Sequence, residues 1–115
     1  MNELYDDIYG IKIYFMAGCS HQTFNDAIEK KFNLDAGFTK DDEGGCLYLG
    51  NSAYAVWIRK KRDWRTLNHE SLHLSIAVFK SRNISIETSE EAFIYYVNSI
   101  NSKIWRHYNG KTKKT

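Results

Sequence analysis

The 115-residue sequence has no proline, little cysteine, no long apolar run and no strong excess of either charge. Cys19 and Cys46 are too few for a disulfide framework and, with no export signal, are expected as reduced thiols. The longest apolar stretches, such as residues 13–17, fall far short of the roughly 20 residues a membrane helix needs, so no membrane partner is expected. Sixteen Lys and Arg against 14 Asp and Glu leave a formal charge of +2, so bulk electrostatics does not argue for nucleic acid or a lipid surface. Any positive field must be local. The N-terminus is acidic at Glu3, Asp6 and Asp7 and lacks the basic-then-apolar order of a secretory leader, which points to the cytoplasm.

A hydrophobic fraction of 43%, with three Trp, eight Tyr and six Phe, is enough to build a core and excludes wholesale disorder. The length suits one small domain, expected over residues 1–110 and followed by a basic disordered tail at 111–115. Ile11, Ile13 and Phe15 alternate with Lys12 and Tyr14, which predicts a strand over residues 8–17 ending at Gly18. Ser20 is placed to cap a helix carrying Phe24, Ala27, Ile28 and Phe32 at helical spacing, with Gly37 as its stop. Residues 39–45 have the charge and glycine content of a surface loop. Residues 46–49 and 53–58 flank Gly50-Asn51-Ser52 as a hairpin, for three strands in all. Asp63 then caps a largely buried helix over residues 64–81. A final helix of about five turns is predicted from the capping-box pattern Thr88-Ser89-Glu90-Glu91 ahead of Phe93, Val97, Ile100 and Ile104. The expected class is α+β.

The pattern most specific for chemistry is His69-Glu70-Ser71-Leu72-His73, inside a segment already read as helical. With four His and seven Glu in the chain, chance supplies about 0.01 such patterns. Four residues advance a helix by about 400° and about 6 Å, so both imidazoles leave one face and can grip one metal ion. Glu70 lies about 100° round from His69, where a carboxylate takes the proton of an activated water. A catalytic zinc normally has three protein ligands. The two other histidines, His21 and His107, have no positional argument. Glu91, 18 residues beyond His73 in the first turn of the next helix, is the preferred third ligand over Glu90. It falls in register with Tyr95, and the connection is long enough to return to the level of the pair. A plain capping role for Glu91 competes for the same oxygens. Tyr95 is a candidate to hydrogen-bond a ligand or a tetrahedral oxyanion, with simple packing as its alternative.

These two motifs, His69-Glu70-Ser71-Leu72-His73 and Glu91-Ala92-Phe93-Ile94-Tyr95, together with the order of strands and helices, resemble the small phage-encoded zinc metallopeptidase-like proteins, minimal relatives of the gluzincins. The likeness spans about residues 8–105. It implies a minimal zincin-like domain in which His69, His73 and Glu91 hold Zn²⁺ and Glu70 is the general base for peptide-bond hydrolysis. It also departs from the gluzincin pattern, since Tyr95 stands where an acid often orients a ligand histidine.

A peptide or protein substrate is then the expected partner, lying along the strand of residues 53–58. The alternative function is a non-catalytic protein, zinc-stabilised or metal-free, that occupies a host macromolecule. Arg59, Lys60, Lys61, Arg62 and Arg65, flanked by Trp57 and Trp64, form the one local basic patch and the weaker option of single-stranded nucleic acid. Asp41, Asp42 and Glu43 read as a solvated loop without calcium-site spacing. Cys19 and His21 lack a partner pair for a metal site.

Overall fold

The computed structural model describes residues 1–113. Its elements in chain order are β1 (Asn2–Asp6), β2 (Ile11–Ala17), α1 (His21–Phe32), β3 (Gly44–Gly50), β4 (Ala53–Ile58), α2 (Trp64–Ser81) and α3 (Glu90–Lys113). The class is α+β, with a mixed sheet of four strands in the order β1-β2-β4-β3. The expected three strands are corrected to four because Asn2–Asp6 pairs antiparallel with β2. Its turn back into β2 ends at Gly10, whose φ of 67° suits a residue without a side chain. This turn also shortens the strand expected from residue 8 to Ile11–Ala17.

Strand β4 runs parallel to β2 and antiparallel to β3, so it lies inside the sheet. Its sequence, AYAVWI, is apolar at every position and is buried from Tyr54 to Ile58, as a strand covered on both faces should be. The edge expected at residues 53–58 therefore belongs to β3.

The two sheet faces carry separate cores. One joins Ile11, Ile13, Phe15, Tyr54, Val56 and Ile58 to the inner faces of α2 and α3. The other sets Tyr14, Ala55 and Trp57 against Phe24 and Ile28 of α1. Helix α1 begins at the Ser20 cap, whose side chain accepts from Thr23 N–H, and stops at Asn33 in the left-handed conformation rather than at Gly37. Helix α2 spans the expected residues with Asp63 as its cap. In α3 the first helical turn closes from Phe93 N–H to the Ser89 carbonyl, while Thr88 turns its hydroxyl to the Ser85 carbonyl. The expected box centred on Thr88 is thus replaced by a start one residue later.

Helix α3 is tied to the first strand by one buried acid. Asp6 is fully buried, accepts from the backbone N–H groups of Ile8 and Tyr9, and takes a 2.8 Å hydrogen bond from the Tyr96 hydroxyl. Of the expected tail, Lys114 and Thr115 lie outside the described residues. No helix among the described residues is long and apolar enough to cross a membrane.

Candidate active site

Helix α2 sorts its polar side chains onto two flanks. Toward α3 point Trp64, Asn68, Ser71, Ser75 and Phe79: Trp64 meets Trp105, Ser71 Oγ and Asn68 Oδ1 meet the Asn101 amide, and Phe79 meets Phe93 and Tyr96. Toward β3 point Thr66, Glu70, His73 and Ala77, which line the space between helix and strand. The junction is tight at Gly44, where a Cβ would lie 2.6 Å from Thr66 Cγ2 and 2.7 Å from the Trp57 carbonyl oxygen. Only glycine lets β3 approach the helix this closely.

His69 and His73 are exposed, and their Nε2 atoms stand 3.1 Å apart. Two nitrogen ligands at about 2.0–2.1 Å from a tetrahedral zinc ion are separated by about 3.3 Å, so the pair has the bite the metal needs. Glu70 is 7% exposed and makes no hydrogen bond among the described residues. Burial raises its carboxyl above the usual carboxylate range, the His69 and His73 charges draw it back, and Asp42 adds to the rise. Burial also pushes the nearby Cys46 thiol up to about 12, which leaves it protonated and a poor nucleophile at neutral pH.

The structure does not bring Glu91 to this pair. Helix periodicity sets His69 and His73 about 120–160° around α2 from the flank that meets α3. The contact of Phe79 with Phe93 further places the start of α3 beside the end of α2, about two turns beyond His73. Glu90 and Glu91 are exposed there, and Tyr95 is 69% exposed. None of the three lines the space around Glu70. Among the described residues no group of three or more His, Cys, Asp or Glu side chains is placed to hold a metal. The donors that fit zinc here are therefore two, His69 and His73.

What the structure does bring to Glu70 is the segment read from sequence as a solvated loop. Gly44 and Glu70 are shared by two clefts. One, of about 430 Å³, is walled by Phe38, Cys46, Tyr48, Tyr54, His73 and Ala77. The other, of about 350 Å³, is walled by Asp41, Asp42, Glu43, Arg65, Thr66 and His69.

The acidic wall is held in place from outside. The Arg59 guanidinium donates to the carbonyls of Thr39, Lys40 and Asp42 at 2.7–3.2 Å and stands over the Trp57 ring at 5.4 Å. Asn25 exchanges two hydrogen bonds with the Phe38 backbone. Arg59 is thereby taken out of the basic patch expected for nucleic acid, and Arg65 faces the acidic cleft instead of joining it. Lys60, Lys61 and Arg62 remain as an exposed turn.

His21 and Cys19 flank the start of α1, and the Cys19 carbonyl accepts from the Trp57 indole at 3.0 Å, a packing role. No family model, no curated protein and no solved structure matches the chain.

Proposed function

We propose that the protein is a zinc-dependent peptide hydrolase with a minimal zincin-like arrangement, in which His69 and His73 hold the metal and Glu70 is the general base. The observation that supports this reading best is a glutamate that is itself 7% exposed and without a hydrogen bond, opening on two clefts beside two imidazoles whose Nε2 atoms stand 3.1 Å apart. A carboxyl raised by burial and drawn back by two adjacent histidines, at the junction of two clefts, is typical of sites of chemistry. His69 and His73 would hold the zinc, which when bound would supply a water with its pKa lowered toward about 7 and a polarised carbonyl. Glu70 accepts one proton from the attacking water and delivers it to the departing amine, so that one water and one amide become a carboxylic acid and an amine. Gly44 keeps the approach to Glu70 open. An extended peptide has a strand to pair with at the outer edge of β3, whose far side carries no neighbour in the sheet.

The test is zinc content by native mass spectrometry, joined to turnover of a quenched fluorogenic peptide library. One zinc per chain is expected after zinc repletion, lost in His69→Ala and retained in Glu91→Gln. Glu70→Gln should keep the metal and lose at least about a hundredfold in rate. Zinc bound with no turnover of any peptide would favour the non-catalytic binding protein instead. Absence of zinc would sink the hydrolase reading and leave the binding protein in its metal-free form.

A further inference from the structure

The histidine pair is short of partners for a metal, and the face that carries it is uncovered. Zinc takes four protein ligands in a structural site and three with a water in a catalytic one. His69 and His73 supply two, and no group of three or more His, Cys, Asp or Glu forms around them among the described residues. Both rings are exposed, so an ion gripped between their Nε2 atoms is open to a second molecule.

Helical periodicity sets Arg65, His69, Leu72, His73 and Ile76 on the outermost stripe of α2. Leu72 is 41% exposed and Ile76 half-buried. On α3, Ile94 is 47% exposed. It shares a helix face with Asn101 and Trp105, which line the outer groove between the two helices together with Trp64. An apolar strip thus runs beside the imidazoles.

The two ends of this face differ in charge. Arg62 and Arg65 stand at the start of α2, while Glu90 and Glu91 open α3 beside the end of α2, where Lys80 offsets one of them. All five are exposed, and none enters an ion pair among the described residues, where the ion pairs are Lys12 with Glu3 and Lys103 with Asp6. A two-fold axis through the metal and across α2 lays two copies antiparallel, so each basic end meets the other's acidic end. At the centre, the two charges of one zinc ion are matched by one Glu70 from each copy.

Resting on the zinc assignment of the hydrolase reading, we propose that two copies of this chain share one zinc ion when zinc is scarce. His69 and His73 of each copy complete four nitrogen ligands, and Leu72, Ile76 and Ile94 form the apolar contact. Four nitrogens leave no position for a water or a carbonyl, so the shared form is a resting dimer. Excess zinc fills each pair separately and returns monomers with open positions.

The test titrates the full-length, metal-free chain with zinc. Sedimentation velocity follows mass, native mass spectrometry follows metal stoichiometry, and peptide turnover is read on the same samples. Without metal the chain should be monomeric. The dimer should peak near about half an equivalent of zinc per chain, with one ion per two chains, and fall away in excess zinc. His69→Ala should abolish it. Leu72→Asp, at an exposed position, should weaken it at least about tenfold while the monomer still takes up zinc. A chain that binds zinc but stays monomeric at every ratio overturns the inference and leaves the hydrolase reading standing. A dimer that persists in chelator or in His69→Ala, or that Leu72→Asp leaves unchanged, also overturns it. The zinc-bridged dimer with no turnover in excess zinc upholds the inference and overturns the hydrolase reading. No zinc bound at any ratio overturns both.

Discussion

The two flanks of α2 have similar raw material and opposite fates. Toward α3, the polar groups of Asn68, Ser71 and Ser75 are taken up, with Ser75 Oγ donating to the Ser71 carbonyl at 2.8 Å and Asn101 meeting both Ser71 and Asn68. Toward β3, Glu70 is about as inaccessible as a core residue and has no such partner. Burial alone therefore does not separate structure from function in this helix. What separates the two flanks is where the polar group turns: toward α3 it meets a partner in the protein, and toward β3 it opens on two clefts.

That contrast can be broken from either side. The largest effect is expected on the α3 flank, where Phe79→Ala removes a ring packed against Tyr9, Phe93 and Tyr96 and should cost about 3–5 kcal/mol in urea unfolding. Gly44→Val attacks the other flank by overpacking β3 against Thr66 and should cost about 1–3 kcal/mol while closing the passage between the two clefts. On the hydrolase reading, turnover should fall further than the loss of folded protein explains.

A smaller effect attaches to the cap that starts the helix. Asp63 accepts from Thr66 N–H and, at 2.6 Å, from the Thr66 hydroxyl, and these hydrogen bonds hold its carboxyl below the ordinary 3.8. Because the unfolded chain takes up the proton first as pH falls, this stabilisation is complete above pH 3.8 and is lost as pH drops through the lower folded value. Asp63→Ala should therefore cost about 1 kcal/mol at neutral pH, and the gap to wild type should close in acid. A constant gap down to about pH 2 would place the effect elsewhere. The smallest change has the opposite sign: Glu70→Leu should raise stability by about 0.5–1 kcal/mol in thermal unfolding, since it replaces a largely desolvated acid with an apolar side chain. Destabilisation by the same amount would mean Glu70 is a structural residue.

Local signals in the sequence carried far. The Asp63 cap, the extent of α2, the β3–β4 hairpin and the placing of His69, Glu70 and His73 on one helix all follow from periodicity and capping within a few residues. The first strand was hidden because its alternation runs against expectation: Tyr5 points to solvent at 60% exposure while Asp6 is buried. Its acid is made tolerable by Tyr96, which no local window contains. The expectation for Glu91 reckoned how far the connection reaches along the helix axis but not which side of α2 the returning helix would occupy. The small Ser71 and Ser75 side chains that mark that side are ambiguous in sequence, since serine suits solvent and helix contacts alike. Asp41 and Glu43 are exposed, as the solvated-loop reading expected, but the place of that loop beside α2 was not legible. The groups that shape the loop, Asn25 and Arg59, lie 13 to 20 residues away in the chain.

The bond between Asp6 and Tyr96 spans 90 residues of chain. During synthesis the first strand leaves the ribosome long before its partner on α3 has been made, so its buried acid must wait, hydrated, until nearly the whole fold has emerged. The first strand of this fold is thus among the last of its elements to reach its final environment. Folding of this domain is completed only once α3 is free to close on it, at the pace of a long-range contact and not of a local hairpin.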